Sequence, residues 1–167
     1  ELYQVEALVG SPITRVQARL STVHHAIAAD DLVLLTLEHA DGTLSSVATA
    51  WAIPGFEGTY CEVHTDHRTI RVEGRGRGLR VYDRVKRDWQ ELALPPAEEP
   101  GVASGHFAFW QECLRTLREH GTLPVPAPDA LRQVALLEAA RESSRLRGAP
   151  VTVESGARGP LQPLVSS

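Results

Sequence analysis

Apolar residues recur at three-residue intervals through Leu2, Val5 and Leu8, and Gly10 and Pro12 follow. Residues 1–9 therefore read as the closing turns of a helix. Residues 13–23 alternate instead, with Val16, Ala18 and Leu20 on one face and Arg15, Gln17 and Arg19 on the other. That period predicts a half-buried strand with one wet side. Residues 31–40 and 43–53 flank Asp41-Gly42, a two-residue hairpin signal. Segment 32–37 is apolar on both faces, which predicts a central strand. Strands at 59–65, 69–73, 79–84 and 89–94 continue the meander. Successive strands without intervening helices argue against a doubly wound parallel sheet.

The period changes after the Pro-rich stretch 94–100. Phe107, Trp110, Cys113, Leu114 and Leu117 line one helical face ending near Gly121, and Phe107, Trp110 and Leu117 are read as core. Pro124, Pro126 and Pro128 form a stiff connector, after which Asp129 is expected to cap a helix reaching about residue 147. Glu138, Arg141, Glu142 and Arg145 make its solvent stripe. Ala135, Leu136, Ala139, Ala140, Ser143 and Leu146 make the opposite arc, whose small residues let the helix lie close to a sheet. Gly148 ends it, and 151–153 returns as a strand. The predicted class is α+β: a large, mainly antiparallel open sheet with helices packed on one face. One domain is expected over 1–154, followed by a loose Gly-, Pro- and Ser-rich tail over 155–167.

Composition narrows the function classes. At 167 residues, 43% apolar and 23% charged, the chain can bury a core and is neither a disordered tail nor a coiled coil. A net charge of −4 gives no general attraction to nucleic acid or anionic lipid. No apolar run approaches the roughly 18 residues of a membrane helix, and residues 1–20 lack a signal-peptide form. Cys61 and Cys113 make no disulfide framework and read as free thiols of a cytoplasmic protein. There is no Met, so Glu1 is not a natural start, and the chain reads as part of a longer protein.

Leu8-Val9-Gly10-Ser11-Pro12 leads into an Arg-and-Val strand; Asp30-Asp31, Asp41-Gly42 and Ala50-Trp51 follow in order. The most specific block is Pro128-Asp129-Ala130-Leu131, then Glu138-Ala139-Ala140, Ser143-Ser144 and Gly148-Ala149-Pro150-Val151. In this order the segments resemble the Gfo/Idh/MocA oxidoreductases, with Ala130 where that family usually has Gly. The resemblance implies a two-domain enzyme. An N-terminal Rossmann domain would bind NAD or NADP, and a C-terminal sheet domain would complete the substrate site and mediate oligomerisation. Only the second domain is matched. The family's Gly-rich phosphate turn and its Glu-Lys-Pro segment are absent. By this reading the chain alone binds no cofactor and is catalytically silent. It is expected to form a homo-oligomer through its open sheet face. The whole enzyme would move hydride to or from a hydroxyl or carbonyl carbon of a sugar- or cyclitol-like small molecule.

The residues themselves supply few catalytic candidates. Lys86, the only Lys, sits among Arg84, Arg87 and Asp88, where little depresses its pKa. No Gly-x-Ser-x-Gly or Ser-His-Asp arrangement is recognisable. Gly74-Arg75-Gly76-Arg77-Gly78 neither closes a βα unit nor opens a helix, so it reads as a hairpin and not a dinucleotide turn. Cys61, His64 and His67, with Glu62 and Asp66 between, have metal-ligand types. Alternation along a strand nevertheless puts Cys61 and His64 on opposite faces, so no metal site is expected. His24 and His25 follow the first strand, where a neutral imidazole can hydrogen-bond a hydroxylated substrate; a surface pair in a loop is the plainer reading. The resemblance places the segment after Ala50 near the substrate cleft. There Trp51 and Phe56 are substrate-binding candidates, Trp51 as an apolar wall, and Glu57 an acceptor for sugar hydroxyls. The competing reading makes Trp51 core. A non-catalytic, stand-alone sheet domain that binds a partner or small ligand is the alternative for the chain as a whole.

Overall fold

The computed structural model describes residues 2–51, 58–74, 78–93 and 105–153. They form, in order, α1 (Leu2–Val9), β1 (Ile13–Ser21), β2 (Leu32–His39), β3 (Leu44–Ala50), β4 (Thr59–His64), β5 (Arg68–Glu73), β6 (Gly78–Asp83), β7 (Asp88–Leu92), α2 (Gly105–Arg118), α3 (Ala127–Arg145) and β8 (Val151–Thr152). The α+β class and the antiparallel strands are those the sequence pattern indicates. Among the described residues, however, the ladders divide into two four-stranded sheets, β3-β2-β1-β8 and β4-β5-β6-β7, where the meander suggested one continuous sheet. The chain separates into two compact units, Glu1–Ile53 with Glu112–Ser167, and Pro54–Gln111.

In the first unit β2 is central, as its two-sided apolar run requires. Its hairpin to β3 turns at Asp41-Gly42, where Gly42 takes φ +88°, open to glycine without a Cβ penalty. Helix α3 lies along β1. Ile13, Val16, Ala18, Leu35, Leu37, Leu136, Ala139, Ala140 and Val153 make the buried core. Strand β8 pairs with β1 only at Arg15 and Val16, so the β1 edge beyond has amide groups to satisfy. Two serines of α3 do this: Ala18 N–H donates to Ser143 Oγ (2.8 Å) and Leu20 N–H to Ser144 Oγ (2.9 Å). The Ser143 hydroxyl in turn donates to the Ala149 carbonyl (2.6 Å), tying down the loop after the helix.

Helix α1 buries a carboxylate. Glu6 is fully buried, and its Oε1 accepts from Ile13 N–H (2.8 Å) and from Arg132 Nε (2.8 Å) and the Arg132 terminal nitrogen (2.6 Å). Its Oε2 accepts from Gln133 Nε2 (3.1 Å), and Arg132 also donates to the Ile13 carbonyl (2.6 Å). Every polar atom of the cluster that burial strips of water thus has a partner, which a buried ion pair needs in order to persist.

Two expectations about the helices are corrected. Helix α3 starts two residues before Asp129; Pro126 is its N-cap residue and no side chain caps it, while Asp129 is buried in the first turn. Pro pre-sets the φ that a helix start needs, so the Pro-rich connector itself initiates the helix. The α2 stripe is not core: Phe107, Trp110, Leu114 and Leu117 are exposed, and among the helix residues whose side chains are described only Cys113 and Thr116 are buried. Helical spacing creates an apolar stripe but does not supply a surface to cover it.

The second unit is a meander of hairpins. Strands β5 and β6 pair through Glu73 and Gly78, with residues 75–77 outside the described set. One face carries Glu62, Arg71 and Arg80; Arg71 and Arg80 lie over the Trp89 ring at 4.6 and 5.2 Å from its centroid. Arg71 pairs with Glu62 and Arg80 with Glu73, so this face is laced by its own ion pairs. Lys86 lies in the β6–β7 turn, whose Val85 and Lys86 amides donate to the Asp83 carboxylate.

Candidate functional site at the 22–31 loop

The chain between β1 and β2 is organised by Asp31. Its N–H donates to the Ser21 carbonyl and its own carbonyl accepts from Trp51 N–H, each at 3.0 Å, so it joins the end of β1 to the residue after β3. Its side chain, fully buried, turns back into the loop. Oδ1 accepts from Val23 N–H (2.6 Å), and Oδ2 accepts from the backbone N–H groups of His24 (2.9 Å) and His25 (2.8 Å). These N–H donors, His25's foremost, hold the Asp31 carboxyl far below the usual carboxylate range. Thr22 Oγ1 donates to the Ala29 carbonyl (2.8 Å) and Ile27 N–H to the His25 carbonyl (2.9 Å), which closes the loop.

This loop brings three sequence candidates together. The His25 Nδ1 lies 3.1 Å from Asp31 Oδ2, with the side chain 40% exposed. The His24 and His25 rings meet edge-on with centroids 4.9 Å apart, and His25 meets Trp51 edge-on at 6.5 Å. Trp51 is 79% exposed, which overturns the reading of it as core. An indole this exposed offers an apolar face beside an imidazole edge, a pairing suited to a hydroxylated ring with one C–H face. Phe56 and Glu57 lie outside the described residues. Asp31 was legible only as part of an acidic pair; nothing local in the sequence reveals that its carboxylate turns back toward residues 23–25.

The other candidates separate. His64 Nε2 lies 3.0 Å from the Glu62 carboxylate and its Nδ1 3.2 Å from Thr69 Oγ1, while Cys61 faces the other side of β4, its thiol pushed up by burial. Among the described residues no group of three His, Cys, Asp or Glu side chains is placed to hold a metal ion. A further histidine, His39, is buried: it donates from Nδ1 to the Ser11 carbonyl (2.7 Å) and its Nε2 pairs with Ser45 Oγ (2.8 Å), a structural tie. No described helix is long and apolar enough to cross a membrane.

A nicotinamide dinucleotide needs a Gly-rich turn from a strand into a helix N-terminus. All described strand pairs are antiparallel, and the segment between Gly74 and Gly78 joins two strands. Among the described residues no such turn from a strand into a helix N-terminus is formed.

The family model described as the GFO/IDH/MocA C-terminal domain matches residues 1–71, which bears out the resemblance read from the motifs. No curated protein sequence matches the chain. Solved structures match its fold. An oxidoreductase from Agrobacterium radiobacter, in complex with NAD+, L-tartaric acid and magnesium, aligns with TM-score 0.71 and 22% identity over 90% of this chain and 46% of its own. Levoglucosan dehydrogenase, in complex with NADH and levoglucosan, aligns with TM-score 0.75 and 21% identity over 92% and 48%. The WlbA dehydrogenase from Bordetella pertussis, in complex with NADH and UDP-GlcNAcA, aligns with TM-score 0.70 and 20% identity over 93% and 46%. The chain thus spans under half the length of these solved proteins.

Proposed function

Given that residues 1–71 match the GFO/IDH/MocA C-terminal domain, we propose that this chain is the substrate-facing and oligomerisation domain of an NAD(P)-dependent oxidoreductase. The whole enzyme would pass hydride between the nicotinamide of NAD or NADP and a hydroxyl or carbonyl carbon on a sugar- or cyclitol-like molecule. A Rossmann domain elsewhere in the enzyme would hold the cofactor and the Glu-Lys-Pro segment that this chain lacks. The carrying observation is the fold match over 90% or more of this chain to proteins about twice its length that hold NAD(H) with hydroxylated small molecules.

In this reading Trp51 and His25 line the substrate cleft with His24, and Phe56 and Glu57, which lie outside the described residues, remain substrate-binding candidates by sequence. The open face of the β3-β2-β1-β8 sheet would meet a second copy. Arg19, Leu34 and Thr36 are exposed there, around a shallow depression of about 180 Å³ lined also by Gln17 and Gly148. Such a half-apolar sheet face suits packing against its own symmetry mate. The site of action would be the cytoplasm.

The test is the intact mass of the natural gene product, followed by a screen of sugars and cyclitols with NAD+ and NADP+. A mass roughly double that of this chain, with nicotinamide reduction on a polyol, supports the proposal. A natural product no longer than this chain would overturn it in favour of a stand-alone binding domain.

A further inference from the structure

We propose that Asp31 is a positioning residue that decides which nitrogen of His25 carries the ring proton, so that Nε2 meets a ligand as a hydrogen-bond acceptor. The argument is one of counting protons. An ionised carboxylate accepts and cannot donate. Asp31 is kept ionised by the Val23, His24 and His25 amides, and its Oδ2 also faces His25 Nδ1 at 3.1 Å. The hydrogen bond between them therefore requires the proton on Nδ1. A neutral imidazole has only one such proton, so Nε2 is left with a lone pair. Among the described residues nothing bonds Nε2, and the ring is part exposed beside the Trp51 indole.

The consequence is a selection on the ligand. A lone pair at Nε2 welcomes a hydroxyl or N–H donor and repels the oxygen of a carboxylate or ketone. The site then suits an uncharged polyol whose hydroxyl donates to His25 while its C–H face covers Trp51. That ligand class rests on the domain reading above; the tautomer does not. The backbone arrangement matters because the carboxylate which orients the ring also holds the backbone beneath it. Ring and loop are thus fixed by one group, which limits the freedom lost when a ligand binds.

The test is long-range ¹H–¹⁵N correlation NMR of uniformly labelled protein at about pH 8, above the ordinary imidazole range, with His25→Gln used to assign the His25 signals. The expected spectrum has widely split nitrogens, Nδ1 of the protonated type and Nε2 of the bare type. Asp31→Asn should collapse that splitting or reverse it. A wild-type ring with its proton on Nε2, or with averaged nitrogens, overturns the proposal, and this spectrum decides even if Asp31→Asn fails to fold. A split ring in a protein whose full-length form reduces no nicotinamide would leave the tautomer standing and remove the oxidoreductase reading.

Discussion

Removing the Glu6 carboxylate should cost far more than a surface ion pair would. Glu6→Ala strips Arg132, whose side chain is 8% exposed, of its only anionic partner among the described residues, with the Ile13 carbonyl as its one remaining acceptor in the cluster. The Ile13 amide and the Gln133 side chain lose their acceptors too. Breaking a buried pair from one side typically costs about 3–5 kcal/mol, a large part of the roughly 5–15 kcal/mol that holds a domain together. The damage should be relieved by removing the stranded charge: Glu6→Leu with Arg132→Met replaces the pair by apolar volume, a change that is often neutral or stabilising. Urea unfolding followed by circular dichroism measures both variants. A loss under about 1 kcal/mol for Glu6→Ala would mean that water reaches the pair and that its value is that of a surface bridge. A double variant as unstable as the single one would show that the cost lies in lost packing rather than in the unpaired charge, and would refute the reasoning.

Three further outcomes follow from the same geometry. The Asp31 carboxyl is held below its ordinary value by N–H donors, and those of Asp41 and Asp83 are lowered in the same way. Their stabilisation is therefore complete above the unfolded carboxylate value of about 3.9 and is lost as pH falls below it; melting temperature against pH should drop on the acid side, and less steeply in Asp31→Asn. Ser143→Ala leaves the buried Ala18 amide without its acceptor and should cost about 1–3 kcal/mol by urea unfolding, whereas Ser143→Thr, which keeps the hydroxyl, should cost less. Under the proposed function, Trp51→Ala in the full-length protein should raise the KM for substrate and leave the Kd for NAD(H) unchanged; an equal loss of cofactor affinity in fluorescence titration would count against a role in the substrate wall.

The periodicities locate almost every element, because a period of two or of 3.6 reports which side of a segment is meant to be dry. Asp41-Gly42 marks its hairpin for a local reason, the positive φ that glycine takes there. Of the arc read as the buried side of α3, Leu136, Ala139, Ala140 and Ser143 are buried, whereas Ala135 is half-buried and Leu146, just past the helix end, is exposed. His24, His25 and Trp51 are legible as candidates because their side-chain chemistry is visible in the letters. Glu6 is not legible as a buried residue. Its charge argues for solvent, and the guanidinium that makes burial tolerable lies 126 positions away.

What the sequence alone determined is thus the local conformation of each segment and the side of it that avoids water. Those follow from backbone sterics and from interactions within a few residues. Tertiary structure decided everything that depends on who the neighbour is. It divided the strands between two sheets and left the α2 stripe exposed where its spacing had promised core. It also brought Asp31, His25 and Trp51 to one loop. A hydrogen bond or a buried charge is a property of a pair, and its partner is chosen only when distant segments meet.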